Sequence, residues 1–233
     1  MSSGPVTPRV AIVVRGGWDI HQPVRCTELF TGFLRESGFE VVVSDSLDVY
    51  ADAGVMARAH LLVQCWTTDV RSTEPDLLSD EQQAGLVGAV SAGTGFAGWH
   101  GGVLAAFPDA YDYHYLVGGQ FVCHPGGFID YEVTAVAGQG SSGIMSGIER
   151  FAIHSEQYFC HVAPGNDVLA TTTFTGAHGA PETAGVVMPV VWTRRHGAGR
   201  VFVSTLGHFP EDLEIPPVRA LTERGLLWAA ADR

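Results

Sequence analysis

The first hundred residues alternate between short apolar runs and longer segments with apolar residues at helical spacing. The apolar runs lie at residues 9–15, 39–44, 61–65 and 95–99. Continuous runs of this length, rich in β-branched or small residues, are typical of parallel strands buried on both faces. The segments between the runs, at residues 24–37, 49–59 and 79–92, predict helices. This order of elements predicts an α/β fold with an open, doubly wound parallel sheet.

The second half of the chain has shorter and more mixed apolar segments. Strands are predicted at residues 131–136, 168–173, 188–195 and 200–206, and a short apolar segment at 120–125 ends in proline. The last two strands flank the sequence His196-Gly197-Ala198-Gly199, which favours a hairpin turn. A helix is predicted over residues 217–231 with proline in its first turn. No repeat or linker divides the chain, so one domain spanning residues 1–233 is expected.

The fourth apolar run ends in Gly98-Trp99-His100-Gly101-Gly102, directly before the expected start of a helix. A central residue flanked by small residues between strand and helix is the sequence of a nucleophile elbow. Such a strained turn lifts its central side chain above the carboxyl edge of the sheet. The central residue here is His100 rather than Ser or Cys, so acyl transfer through it is not expected. A helix N-terminus favours the neutral imidazole, which can bind a metal or act as a base.

Composition and charge narrow the class of partner. The 233 residues carry a formal net charge of −12, with 46% hydrophobic and 16% charged residues. An acidic surface repels phosphate backbones and anionic lipids, so neither nucleic acid nor a membrane is an expected partner. No apolar run has the length of a membrane span and no signal sequence is recognisable, which predicts a cytoplasmic location. The four cysteines form no C-x-x-C pair, and Cys65 and Cys123 are expected in the core.

Four strings follow one another along the chain: GFAGWHGG, YHYLVGGQFVCHP, IMSGIERFAIHSEQYF and PVVWTRRHGAGRVFVSTLGH. In this order they resemble the ThuA-like (trehalose utilisation) family, over nearly the whole chain. The resemblance implies a class I glutamine amidotransferase-like fold, which is a flavodoxin-like three-layer sandwich with a mostly parallel sheet. It also implies a role in the catabolism of trehalose-type disaccharides or keto-sugars. One position departs from the family, since its segment tends to read Asp-Glu-x-Tyr where this chain has Ser155.

The glutamine amidotransferases of this fold have a cysteine at the elbow, where this chain has His100. An imidazole cannot form the thioester on which glutamine hydrolysis depends, so the chain is not expected to be a glutamine amidotransferase. Residues that follow predicted strands are expected to line one pocket at the carboxyl edge of the sheet. The candidate catalytic residues are His100, His124 and Glu156, because imidazole or carboxylate can move a proton at a sugar hydroxyl or beside a carbonyl.

The candidate substrate-binding residues combine aromatic rings for the C–H faces of a sugar with imidazoles for its hydroxyls. They are Trp18, His21, Trp66, Tyr158 and His208. For each histidine the alternative is a structural or exposed side chain. Trp99 and Trp192 are expected to pack in the core instead.

The sequence pattern establishes no cofactor. A divalent metal such as zinc is an open alternative, with His100, His124 and His208 as its ligands, although no local H-E-x-x-H spacing requires one. The expected partner is a small-molecule sugar, and a homodimer is an open alternative by analogy with the fold. Three functions follow from these observations: a sugar-derivative-converting enzyme, a non-catalytic sugar-binding or partner-docking subunit, and a metal-dependent hydrolase.

Overall fold

The structure, a computed structural model, describes residues 8–138 and 143–231. Its strands are β1 (Arg9–Gly17), β2 (Phe39–Ser44), β3 (Ala59–Thr67), β4 (Gly95–Trp99), β5 (Gly119–Cys123), β6 (Phe128–Ala135), β7 (Arg150–Glu156), β8 (Phe159–Val162), β9 (Asp167–Thr173), β10 (Val187–His196) and β11 (Gly199–Ser204). Its α-helices are α1 (Pro23–Glu36), α2 (Ala53–Met56), α3 (Asp80–Ser91), α4 (Gly101–Leu104), α5 (Tyr111–Val117), α6 (Pro210–Glu214) and α7 (Pro216–Ala229). Short 3-10 turns lie at Asp19–His21, Leu47–Ala51 and Pro181–Thr183. Within these ranges, no helix combines the length and the apolar character that crossing a bilayer requires.

A nine-stranded mixed sheet forms the centre of the fold, in the order β2-β1-β3-β4-β11-β10-β9-β6-β7. The first five strands of this order pair in parallel, and the pairings from β11 to β7 are antiparallel. The predicted hairpin joins the two parts, since Arg195 lies opposite Arg200 and His196 opposite Gly199. The predicted parallel sheet is therefore one part of a larger sheet, and β5 and β8 form a separate antiparallel pair.

The direction of β7 determines where its last residue lies. Each step from β11 through β10, β9 and β6 to β7 is antiparallel, so after four reversals β7 runs in the same direction as β11. Glu156, the last residue of β7, therefore reaches the carboxyl edge of the parallel strands. The described pairing of β6 with β9 involves Thr134 and Ala135, at the end of β6 remote from Glu156. The Phe128 and Glu156 end of the β6–β7 pair lies beyond the described pairing with β9.

The core lies on both faces of the sheet, because side chains of a strand alternate between them. Along β1, Ala11 and Val13 join the hydrophobic cluster that contains Phe30 of α1 and Leu226 of α7. Ile12 on the same strand joins a second cluster that includes residues of α3 and α5. Full burial of a Val, Leu or Ile side chain stabilises the fold by about 1.5–3 kcal/mol. Helices consequently cover the two faces of the sheet, and loops follow the strand ends at its carboxyl edge.

Several predictions require correction. The helix after His100 is a single turn, Gly101–Leu104, because the chain leaves the helical conformation at Ala105, where φ is −103° and ψ is 34°. The helix predicted over 49–59 is divided into a 3-10 turn and the short α2. Cys123 is exposed rather than in the core, because it ends the outlying β5 strand, whereas Cys65 is buried as expected. Strands β7 and β8 were not among the predicted elements.

Candidate functional site

The turn after β4 has the backbone of a nucleophile elbow with a histidine at its apex. His100 has a φ of 50° and a ψ of −140°, which is a strained combination for a residue with a side chain. Its backbone N–H donates to the carbonyl of Ser204 at 2.7 Å, so the turn is fixed to the end of β11. Glycine at position 102 is required by close approach, since a Cβ there would lie 2.7 Å from the Cα of Cys65.

The loop after β1 brings a second histidine to the elbow. His21 ends the 3-10 turn Asp19–His21 and is buried, with 8% of its surface exposed. Its ring centroid lies 5.6 Å from that of His100 and 4.6 Å from that of His208. The buried Nδ1 of His21 makes no hydrogen bond. The ring of His21 therefore faces other imidazoles across the ends of β1, β4 and β11.

Three polar atoms from distant parts of the chain meet at the centre of the site. Nε2 of His100 lies 3.0 Å from Nδ1 of His208 and 3.2 Å from Oε2 of Glu156. The same Oε2 lies 3.0 Å from Nδ1 of His208. The hydroxyl of Tyr158 donates to Nε2 of His100 at 2.9 Å. We call His21, His100, Glu156 and His208 the imidazole–carboxylate cluster.

Burial determines the protonation states in the imidazole–carboxylate cluster. Loss of water lowers the pKa of His100, and the same effect, with nearby His100 and His208, lowers the pKa of His21 to about 3. Burial would raise the pKa of Glu156, but its close contacts with the imidazoles of His100 and His208 outweigh burial and hold that pKa well below the usual value. Neutral rings of His21 and His100 thus face an ionised carboxylate at neutral pH. Burial raises the pKa of Tyr158, which keeps its hydroxyl protonated.

Surrounding groups fix the orientation of the two rings at the centre. The carbonyl oxygen of Thr205 lies 2.8 Å from Nδ1 of His100, and a carbonyl can only accept, so that nitrogen carries the ring proton. His208 is held by its backbone N–H, which donates to Oδ2 of Asp212 at 3.0 Å. The hydroxyl of Ser155 donates to the same oxygen at 2.6 Å. Ser155 therefore supports the loop of His208 through Asp212.

A cavity of about 400 Å³ opens in front of the imidazole–carboxylate cluster. Its polar end is formed by His21, His124, Glu156, Tyr158 and His208. The remaining wall is mostly apolar and consists of Trp18, Ile20, Thr67, Thr68, Val70, Leu104, Ala105, Ala106, Pro108, Gln120, Phe121, Phe128 and Phe209. This volume falls in the range of small-molecule sites, which are commonly apolar with a few converging polar groups.

The structure brings the predicted site residues together at the cavity, except that His100 lies behind the cavity lining and Trp66 lies in the core. His100 is 1% exposed and lies behind the cavity lining, in contact with Glu156, His208 and Tyr158. The structure places Trp66 away from the cavity, because its ring packs in the core against the backbone of Gly16.

His124 and Trp18 lie at the more open part of the cavity. The side chain of His124 is 37% exposed, and its Nε2 lies 3.6 Å from Oε1 of Glu156. Trp18 lines the cavity, and the guanidinium of Arg71 covers its ring at 3.9 Å. Trp99 and Trp192 are buried in the core, as the sequence predicts.

Sequence reasoning missed the aromatic wall around His208. Phe128, at the start of β6, stacks on Phe209 with parallel rings 5.5 Å apart and meets the ring of His208 at 4.9 Å. The same hairpin carries Glu156 at its other strand, opposite Phe128. The predicted strand at 131–136 begins three residues after Phe128, the first residue of β6, so this ring fell outside it.

Comparison with known proteins identifies the family. The sequence model of the ThuA family, described as trehalose utilisation, matches residues 9–229. The chain belongs to the ThuA family. No curated protein is significantly similar in sequence to this member of the family.

Solved structures of similar fold include two ThuA-like proteins. One, from Parabacteroides merdae ATCC 43184, has a TM-score of 0.70 and 16% identity over 97% of this chain and 91% of that chain. The other, from Bacteroides uniformis ATCC 8492, has a TM-score of 0.74 and 13% identity over 98% of this chain and 94% of that chain. A cytoplasmic protein from Salmonella typhimurium LT2 has a TM-score of 0.62 and 9% identity, covering 97% of this chain and all of that chain. At these identities the similarity establishes the α/β fold.

Proposed function

We propose that this ThuA family member is an enzyme that converts a trehalose-type disaccharide or its keto-sugar derivative. The observation that carries the proposal is the imidazole–carboxylate cluster, of which His21, Glu156 and His208 line a mostly apolar cavity. The family description, trehalose utilisation, supplies the substrate class. We also infer that the architecture is the flavodoxin-like three-layer sandwich, because the side chains of β1 alternate between two helix-covered clusters.

The cavity wall suits a sugar because it offers both kinds of contact that a sugar ring requires. The rings of Trp18, Phe121 and Phe128 provide flat apolar surfaces for C–H faces. Glu156 provides an ionised carboxylate, and Tyr158, whose hydroxyl proton points to His100, provides a hydroxyl oxygen that can accept from a sugar hydroxyl. Binding would therefore orient one polar edge of the substrate towards the imidazole–carboxylate cluster.

His124 is the group best placed to move a proton between substrate and solvent. Its side chain is 37% exposed, whereas those of His100 and His208 are 2% and 5% exposed. Its Nε2 is 3.6 Å from Oε1 of Glu156, so the carboxylate can stabilise the imidazolium when the ring takes up a proton. The same contact directs the ring towards the cavity. We therefore assign proton transfer beside a hydroxyl or carbonyl to His124 and Glu156, and positioning of Glu156 to His100.

Glutaminase activity is not part of the proposal. The elbow holds His100 in place of the thiol that would form a thioester, and Cys26, Cys65 and Cys160 are buried. Burial also raises the pKa of the Cys65 thiol well above the usual value, which disfavours the thiolate that would act as a nucleophile.

The test is turnover of trehalose and of 3-keto-disaccharides by the wild type and by His124→Ala. Loss of a general acid–base should lower kcat by roughly 100-fold to 10,000-fold and leave KM within a few-fold. His154→Ala is the matched control, since His154 is exposed, pairs with Asp130 at 2.9 Å and lies outside the cavity. Equal kcat values for the folded His124→Ala variant and the wild type would contradict the assignment.

The alternative is a non-catalytic sugar-binding subunit, which the same cavity could serve. Titration calorimetry with each sugar separates the two functions. Saturable binding with no product after prolonged incubation would favour the subunit, and binding followed by product formation would favour the enzyme.

A further inference from the structure

We propose that the imidazole–carboxylate cluster is a mononuclear site for a divalent cation of the zinc class. The ligand atoms of its four side chains all lie within 4.8 Å of one another, and the four residues are buried. They come from loops after β1, β4 and β11 and from the end of β7. The inference deepens the proposed function by adding an ion to its site, but the binding of that ion is testable without any sugar.

The spacing of the three central atoms fits coordination of one ion. Nε2 of His100, Nδ1 of His208 and Oε2 of Glu156 are separated by 3.0, 3.0 and 3.2 Å. Nitrogen and oxygen ligands lie about 2.0–2.1 Å from zinc, so two ligands of a tetrahedral site are about 3.3 Å apart. The three atoms are thus already near the separations that an ion between them would impose. His21 supplies a fourth ligand atom within 4.8 Å of the others.

The hydrogen bonds of His100 show which of its nitrogens could bind a cation. Nδ1 carries the ring proton, because it faces the carbonyl oxygen of Thr205 at 2.8 Å, so Nε2 presents its lone pair to the triangle. In the structure this lone pair accepts the hydroxyl proton of Tyr158 at 2.9 Å. A cation at the triangle would take the same lone pair, together with lone pairs of Oε2 of Glu156 and of Nδ1 of His208, and the ring proton of His208 would then lie on its Nε2.

A buried nitrogen without a partner gives independent support. His21 is 8% exposed, and its Nδ1 makes no hydrogen bond. Burying an unpaired polar atom costs about 1–3 kcal/mol, a cost that a cation bound at this nitrogen would remove. A Cβ at position 101 would lie 3.0 Å from Nε2 of His21, so Gly101 leaves room for this ring beside the elbow.

The surrounding groups have the form expected around a metal site. Ligating histidines commonly donate their second ring N–H to a backbone carbonyl, which fixes the tautomer, and Thr205 receives this bond from His100. Asp212 holds the backbone of His208 and is itself held by Ser155. Three imidazoles and one carboxylate are the ligands that zinc and related first-row ions prefer. Such an ion would polarise a sugar carbonyl or hydroxyl that reaches it from the cavity.

The ligand set differs from the one that the sequence predicts. His100 and His208 belong to both, but His124 is replaced by Glu156 and His21. Nε2 of His124 approaches the outer oxygen of Glu156 at 3.6 Å, and its side chain is 37% exposed. His124 therefore stays available for proton transfer while the cluster holds the ion.

The experiment is calorimetric titration of ZnCl2 into protein produced without a histidine tag and dialysed against a chelator. We expect one zinc per chain for the wild type and for His154→Ala, which removes an exposed histidine outside the cluster. Affinity should fall about 100-fold or more in His208→Ala and in Glu156→Gln. Circular dichroism checks that each variant is folded. If His208→Ala unfolds, the nearly isosteric Glu156→Gln carries the test.

Cobalt(II) gives a second readout, because a site with nitrogen ligands and low symmetry produces intense visible absorption. We expect this absorption in the wild type and its loss in Glu156→Gln. Absence of stoichiometric zinc binding by the folded wild type, or equal affinity in Glu156→Gln, would overturn the metal site. Zinc binding without turnover of any sugar would instead contradict the proposed function and leave the metal site standing.

Discussion

The substitution Gly102→Ala tests whether the elbow is as closely packed against β3 as the structure shows. A Cβ at this position would lie 2.7 Å from the Cα of Cys65, 3.1 Å from its carbonyl carbon and 3.2 Å from the backbone nitrogen of Trp66. These atoms are backbone, so they cannot move aside as a flexible side chain would. Overpacking of this kind costs about 1–3 kcal/mol.

The expected net loss of stability is smaller than the overpacking cost. Alanine gains up to about 1 kcal/mol over glycine in a helix, and Gly102 is the second residue of α4. With an overpacking cost of about 2 kcal/mol, in the middle of that range, the free energy of unfolding should therefore fall by about 1–2 kcal/mol. For a chain of this size, that loss corresponds to a decrease in Tm of roughly 2–8 °C.

The matched control is Gly32→Ala in the middle of α1. Gly32 is exposed, and a Cβ there would meet no atom within 4 Å. The same chemical change should then raise the free energy of unfolding by about 0.5–1 kcal/mol. Thermal and urea unfolding of both variants provides the comparison. An equal or increased Tm for Gly102→Ala would refute the close approach of α4 to β3 and, with it, the geometry assigned to His100.

Two further predictions concern groups that support or line the site. Tyr113→Phe should lower the free energy of urea unfolding by about 1–3 kcal/mol, because the Tyr113 hydroxyl donates to the carbonyl of Val103 and accepts from Gln64 in the core. An unchanged urea concentration at the unfolding midpoint would contradict these two hydrogen bonds. Trp18→Ala should weaken sugar binding about tenfold in calorimetry, since its ring lines the cavity, whereas Trp66→Phe should lower stability and leave the affinity unchanged. A larger loss of sugar affinity in Trp66→Phe than in Trp18→Ala would place the sugar outside this cavity.

The sequence predicts the parallel half of the fold well because local patterns determine it. β1, β3 and β4 are continuous apolar runs buried on both faces, and such runs are recognisable without tertiary information. The helix predicted over 79–92 begins close to the expected residue, because Ser79 and Gln82 form a capping box at the start of α3. The elbow was predictable for the same reason, since its glycines flank His100 at fixed spacing.

The far half of the sheet depends on pairings between distant segments, and these leave a weaker local signal. β7 is the last strand in the order of the sheet, has exposed residues alternating with buried or half-buried ones, and pairs with β6. The position of Glu156 beside His100 follows from the direction of β7 after four antiparallel steps. No spacing along the chain encodes that direction, so the resemblance to the family, rather than periodicity, indicated Glu156.

The misplacement of Trp66 has a similar cause. Its position after the apolar run of β3 predicted a loop side chain, but β3 extends to Thr67 and the ring turns into the core. The absence of a side chain at Gly16 leaves the space that the ring occupies. A strand end could not be located to one residue from the sequence, and one residue decides whether a side chain faces the core or the cavity.

The most direct test of the account is a crystal structure of the protein soaked with a 3-keto-disaccharide and zinc. The account predicts the sugar in the cavity, within hydrogen-bond distance of Glu156 or His124. It also predicts an anomalous scattering peak between His21, His100, Glu156 and His208. Sugar density on another surface, or imidazoles at these positions that point away from one another, would contradict the central claim that these residues form one site.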